Sequence, residues 1–134
     1  MSSLPVLEVV VGLLSDGAGR WLVNCRPAGT PLAGSWEFPG GKRRPGEVPL
    51  AALKRELDEE LGVEVLEAEA VLQLEHDYPD KRVRLDVWYV RRYHGQVTAR
   101  EGQPLKWVTV GECAELPLLE ADWPIVARLT QFGA

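Results

Sequence analysis

Cysteine is almost missing from this chain. Cys25 and Cys113 stand alone, with no CxxC pair and no Cys/His cluster. That leaves no readable zinc site. Two isolated thiols are expected to stay reduced, as in a cytosolic protein, rather than to pair. Histidine is as scarce: His76 and His94 have no metal-ligand spacing. Long apolar runs are missing too. Leu4 to Leu14 is too short to span a bilayer, and Glu8 interrupts it. Met1-Ser2-Ser3 lacks the basic n-region of a signal peptide. A cytoplasmic, soluble protein with no membrane partner is therefore expected. Positive charge is in deficit, 15 Lys and Arg against 20 Asp and Glu, for a net charge of -5. A binder of nucleic-acid polymer would carry a basic face, so no such polymer is expected as partner. A single nucleotide is not excluded, because a few local cations and a metal suffice for it.

What is present is an ordinary globular make-up. The 134 residues are 46% hydrophobic and 26% charged, enough for one core and a single domain spanning 1–134. Val6–Leu14 (VLEVVVGLL) reads as a buried strand. A turn cluster, Ser15 to Gly19, leads to a second strand at Trp21–Arg26, and the two are expected to form a hairpin. Ser35 to Phe38 is a short extended segment. Val63–Glu75 alternates loosely and Lys81–Tyr93 clearly, with a turn at Asp77-Tyr78-Pro79-Asp80 between them. Leu105–Val110 is a short strand. Ala121–Phe132 reads as a C-terminal helix, with Asp122 at its N-cap and Pro124 in its first turn. This order predicts an α+β chain, an α/β/α sandwich. The five tryptophans, Trp21, Trp36, Trp88, Trp107 and Trp123, read as packing residues.

The most informative stretch is Gly40–Val63, GGKRRPGEVPLAALKRELDEELGV. A Phe38-Pro39-Gly40-Gly41 loop runs into a helix of good formers, and Gly62 stops it. Leu50, Leu53, Leu57 and Leu61 make one apolar stripe. Glu56, Glu59 and Glu60, at i, i+3 and i+4, share a flank beside it. Like charges on one flank repel unless a cation lies among them. A hard cation such as Mg²⁺ takes oxygen ligands of this kind, with waters and substrate phosphates. Taken alone, an acidic helix flank also fits a merely solvated surface. The wider spacing separates the two readings. Gly41 is followed after five residues by Glu47, and after seven more by Arg55-Glu56-Leu57. Glu59-Glu60 and Gly62-Val63 then follow, each pair after one residue.

This stretch is identified as the Nudix box of the Nudix hydrolases, with every fixed position filled. The chain resembles the MutT branch, the nucleotide-pool sanitising one, over nearly its whole length. The resemblance implies the Nudix fold, a mixed β-sheet packed between helices. It also implies a Mg²⁺ site, with Mn²⁺ able to substitute, made by Glu56, Glu59, Glu60 and the Gly40 carbonyl. Arg55 would orient a carboxylate and Glu47 would accept from it. Arg100-Glu101-Gly102-Gln103 resembles the loop whose glutamate joins the metal site. Glu60 and Glu101 are thus two candidates for the general base, although Glu101 alone would read as a loop surface residue. Asn24-Cys25-Arg26 resembles the strand whose arginine contacts phosphate, so Arg26 is a substrate candidate. Lys42, after the glycine pair, is another. Phe38 and Tyr78 are candidates to stack on a base.

Leu116 to Ile125 resembles the segment that reads the base edge, and here the chain departs from the branch. MutT carries an asparagine where Asp122 falls; relatives acting on CTP and modified cytosine nucleotides carry an aspartate. An ionised aspartate only accepts hydrogen bonds. Asp122 therefore reads either as the base-recognising residue or as a plain helix cap. The expected activity is hydrolysis of a nucleoside triphosphate, 8-oxo-dGTP or alternatively CTP or a modified cytosine nucleotide, to monophosphate and pyrophosphate. A monomer is expected. The rival readings are a catalytically silent nucleotide sensor, which would have lost carboxylates from the helix, and an interaction module with an acidic face.

Overall fold

The computed structural model describes residues 4–132. Met1-Ser2-Ser3, on which the leader reading falls, and residues 133–134 lie outside them. Seven strands and three α-helices follow in the order β1 (Val6–Leu14), β2 (Trp21–Cys25), β3 (Trp36–Glu37), β4 (Gly40–Lys42), α1 (Pro49–Leu61), β5 (Glu64–Tyr78), β6 (Lys81–His94), β7 (Leu105–Val108), α2 (Val110–Cys113) and α3 (Trp123–Val126). A mixed four-stranded sheet has the order β4-β1-β6-β5, and an antiparallel three-stranded sheet the order β3-β2-β7. β1 runs parallel to β6 over its whole length, Val6 beside Arg82 through Leu14 beside Val90. From Val10 to Leu14 β1 is buried on two faces, which is why that part of it is apolar rather than alternating.

α1 lies on one face of the larger sheet. Its stripe residues Leu53, Leu57 and Leu61 are fully buried with Val10, Leu14, Val65 and Val90. Burying each such leucine contributes about 1.5–3 kcal/mol. The other face carries Val11, Leu13, Val83, Leu85 and Val87, packed with Trp21, Phe38, Ile125 and Leu129. The helix starts at Pro49, where a missing N–H costs nothing. It stops at Gly62, whose φ of 70° closes the last turn onto the Asp58 carbonyl. No helix of the described residues is long and apolar enough to cross a membrane. Both cysteines are free thiols.

Three expectations are corrected. β1 and β2 do not form a hairpin ladder: the chain reverses, but pairing ends at the Ser15–Trp21 bridge and the strands join different sheets. A turn signal fixes the reversal, while burial of each strand fixes its sheet. The turn after β5 is confined to Pro79-Asp80; Asp77 and Tyr78 remain paired with Arg82 and Lys81. The C-terminal segment is not one helix. A 3-10 turn at Glu120–Asp122, α3 and a second 3-10 turn at Leu129–Gln131 succeed one another. Ala121, Ile125 and Leu129 still bury at helical spacing, but bonds such as Arg128 N–H to the Ile125 carbonyl tighten the turns.

Candidate active site

Arg55 organises the acidic flank of α1. Its Nε and Nη2 fork onto Glu47 at 2.8 and 2.9 Å, and Nη1 reaches Glu56 at 2.9 Å and Glu59 at 3.4 Å. Nη2 also donates to the Lys42 carbonyl at 3.0 Å, tying the helix to β4. The Arg55 hydrogen bonds hold the Glu47 carboxyl down at about 2. Arg44 adds a second cation 3.7 Å from the exposed Glu59. This is a charge-assisted bidentate arrangement that one lysine could not reproduce.

Glu60 sits on the other side of that flank, facing β4. It accepts from the Gly40 N–H at 3.2 Å. Burial, and then the charges of Glu56 and Glu101, push its carboxyl up to about 8. Glu56 is raised as well, mainly by burial. Its carboxylate lies so close under β4 that a Cβ on Gly41 would stand 2.3 Å from Oε2. Crowded, partly buried carboxylates with too few donors are the setting a cation relieves. The donors are all oxygen, the set a hard divalent ion takes. These residues fit the ion by chemistry. Among the described residues, no three acidic, histidine or cysteine side chains are gathered closely enough to hold one. Glu101 is exposed, on the loop beside the C-terminal end of α1, and its charge is felt at both Glu56 and Glu60.

A cavity of about 610 Å³ opens beside this flank. Gly40, Gly41, Lys42 and Glu60 line it, as do Arg26, Phe38, Tyr78 and Asp122. Phe38 is only 3% exposed, so its ring is largely core. Tyr78 accepts from the Ala121 N–H at 3.4 Å. Arg26 is already engaged. It bonds Glu37 at 3.2 and 3.3 Å and the Pro31 carbonyl at 2.7 Å. Glu59 and Glu101 do not line the cavity.

Asp122 is 4% exposed and stands at the N-cap position of α3, as expected, but its side chain makes no capping hydrogen bond there. Its Oδ2 instead accepts from the Phe38 N–H at 3.0 Å. Burial pushes its carboxyl up to about 8, toward the protonated form, which donates as well as accepts. Two residues were invisible in the sequence. Glu37 is half-buried on the cavity wall and raised by desolvation against the pull of Arg26; Gln103 is a buried amide. A lone Glu in a two-residue strand or a lone Gln in a loop carries no periodic or motif signal.

A family model described as the NUDIX domain matches residues 10–128. The CTP pyrophosphohydrolase of Escherichia coli K12 is 37% identical over 123 residues, covering 92% of this chain and 90% of that one. The 8-oxo-dGTP diphosphatase of the same organism is 32% identical over 123 residues, covering 92% and 95%. The solution structure of the E. coli ORF135 protein superimposes with a TM-score of 0.82 at 36% identity, covering 98% of this chain and 93% of that chain. A MutT structure described for Aliivibrio salmonicida and Vibrio cholerae does so at 0.80 and 32%, covering 95% and 99%. Nudix hydrolases generally use a divalent metal, which agrees with the donor set of α1. With the box residues on one helix flank and a nucleotide-sized cavity beside it, the chain belongs to the Nudix hydrolase family.

Proposed function

We propose that this chain is a Mg²⁺-dependent pyrophosphohydrolase that converts a nucleoside triphosphate to its monophosphate and pyrophosphate. One observation carries the reading: the cavity that Asp122, Tyr78 and Phe38 line is also lined by Glu60, Gly40 and Lys42. A base at one end thus leaves the phosphates at the carboxylates. The favoured substrate is 8-oxo-dGTP, in nucleotide-pool sanitation, by likeness to relatives of that name. A CTP or modified cytosine nucleotide is the second reading, favoured by the carboxyl at position 122 and by likeness to the CTP pyrophosphohydrolase. We place the enzyme in the cytoplasm as a single-domain monomer.

Glu56, Glu59, Glu60, Glu101 and the Gly40 carbonyl would hold Mg²⁺, or Mn²⁺ in its place. Bound there, the ion would neutralise charge on the phosphates and lower the pKa of water. Arg55 keeps Glu56 and Glu59 in place through its Nη1. Water attacks a bridging phosphorus in line, and the phosphoanhydride bond breaks to release pyrophosphate. Glu60 takes the proton of that water. It lines the cavity beside Gly40 and Lys42, within the space a nucleotide would occupy. Glu101 is the alternative acceptor. Lys42 supplies positive charge to the phosphates, and Arg26 adds to it where Glu37 leaves donors free. Asp122 reads the base edge, and its protonated form meets either an N–H or a carbonyl.

A panel of normal and oxidised nucleoside triphosphates, with Mg²⁺ and with chelator, tests this. Mg²⁺-dependent release of pyrophosphate, fastest from 8-oxo-dGTP, is expected. A fastest rate with CTP or a modified cytosine nucleotide would select the second reading. Release of orthophosphate, or no metal dependence, would overturn both.

A further inference from the structure

Gln103 is 5% exposed, and the chemistry above makes no use of it. Its amide spans two backbones. Nε2 donates to the Glu60 carbonyl at 3.0 Å, and Oε1 accepts from the Glu101 N–H at 3.0 Å. The amide cannot be reversed, because a carbonyl takes only a donor and an N–H only an acceptor. The surrounding loop is fastened to the last turn of α1, where a helix leaves carbonyls without internal partners. Thr98 N–H reaches the Leu61 carbonyl at 3.0 Å, and Arg100 N–H the Glu60 carbonyl at 3.1 Å. Arg100 Nη1 reaches the Asp58 carbonyl at 3.2 Å. Those contacts fix the loop as far as Arg100. At Gly102, with φ of 74°, the chain turns away. Between them stands Glu101, exposed, its N–H held by Gln103.

We propose that Gln103 is a positioning residue: by bridging the Glu60 carbonyl and the Glu101 N–H, it sets Glu101 at the divalent-cation site. It touches neither ion nor substrate. A buried amide satisfied at both ends is rigid, because losing either bond leaves a polar group unpaired. The proposal rests on the reading of Glu101 as a metal ligand.

The test is a double-mutant cycle in Mn²⁺ affinity, read from the free-Mn²⁺ signal by electron paramagnetic resonance. It uses the full chain without nucleotide, so it needs no activity. Glu101→Gln and Gln103→Met are made singly and together. Met is close to Gln in length and makes neither hydrogen bond. Residues that hold a metal ligand in place typically contribute about 10- to 100-fold in affinity, so Gln103→Met should weaken Mn²⁺ binding about tenfold or more. The double variant should bind no more weakly than Glu101→Gln alone, because the two losses are one. In turnover, Gln103→Met should lower kcat with KM nearly unchanged. Gln103→Glu keeps an acceptor for the Glu101 N–H. It should restore part of the affinity, and it carries the same cycle if the Met variant does not fold. A lowered Tm with Mn²⁺ affinity intact would make Gln103 a packing residue and overturn the proposal; so would additive losses. If Glu101→Gln itself leaves Mn²⁺ binding unchanged, the ligand reading of Glu101 fails, and the proposal with it. That outcome is distinct from a silent Gln103→Met beside a weakened Glu101→Gln.

Discussion

The Asp122 carboxyl accepts a hydrogen bond from the Phe38 N–H at 3.0 Å, inside the protein. It joins the C-terminal segment to the loop that opens the acidic helix, and it places a titratable group in the cavity wall. A site built on buried polar groups discriminates strongly, because a wrong base leaves them unpaired. Asp122→Ala should therefore lower kcat/KM for the preferred nucleotide and barely affect a poor one, collapsing their ratio. It also strands the Phe38 N–H, which costs about 1–3 kcal/mol of stability. Asp122→Asn keeps an acceptor for Phe38 and should be milder in both respects. Two kcat/KM values and one thermal melt on the Ala variant check this; an unchanged ratio would end the recognition role.

Stability should depend on pH in a window set by Asp122 and Glu60. Both carboxyls are pushed up to about 8, chiefly by burial. Each contributes fully below its unfolded pKa of about 4, and that contribution is lost as pH rises toward 8. Glu47 runs the other way. Held at about 2, it contributes above pH 4 and is lost on acidification. Between pH 5 and 8 the metal-free protein should lose thermal stability as pH rises, by at most about 1.4 kcal/mol per pH unit for each raised carboxyl. Asp122→Asn should flatten that slope. Melts across the range in chelator decide it: a parent whose stability is constant or rises would refute the assignment.

Glu59→Gln and Glu60→Gln should each cut turnover by orders of magnitude at saturating Mg²⁺ while the fold persists. Their effects on stability should differ. Glu59 is exposed and paired with Arg55 and Arg44, so its loss should be nearly neutral. Glu60 is half-buried among like charges, so its amide should stabilise the metal-free protein at pH 7.5. Near-normal activity in either variant would remove that residue from the metal site.

Much of this was legible from the sequence. The leucine stripe and the box spacing placed Glu56, Glu59, Glu60 and Arg55 on one helix, because periodicity is a local property. The strand spans came close for the same reason. The β1–β2 reversal was visible, but not the sheet each strand joins, which depends on which faces become covered. Asp122 before Trp123-Pro124 has the local look of an N-cap. Its actual partner is a backbone N–H 84 positions away, and backbone partners leave no mark in side-chain pattern. Gln103 and the Arg26–Glu37 pair were hidden likewise: each is defined by a distant contact, and none of these residue types is unusual on a surface.

Gly41 offers a test of how tightly the metal flank is built. A Cβ there would meet the Glu56 carboxylate at 2.3 Å, and that carboxylate is the free end of a flexible side chain. The backbone at Gly41 is not in the left-handed region, so alanine is tolerated conformationally. Gly41→Ala should therefore leave Tm nearly unchanged and push Glu56 away from the position in which Arg55 holds it at 2.9 Å. Turnover and Mn²⁺ affinity should fall toward those of Glu56→Gln. Gly46 supplies the contrast. It lies in the loop between β4 and α1, has φ of 77°, and nothing within 4 Å would meet its Cβ. Gly46→Ala should cost about 1–2 kcal/mol for the left-handed backbone and leave Mn²⁺ affinity intact. If Gly41→Ala instead melts early and binds Mn²⁺ normally, the close approach to Glu56 is structural only, and the metal flank tolerates a shift that this geometry says it cannot.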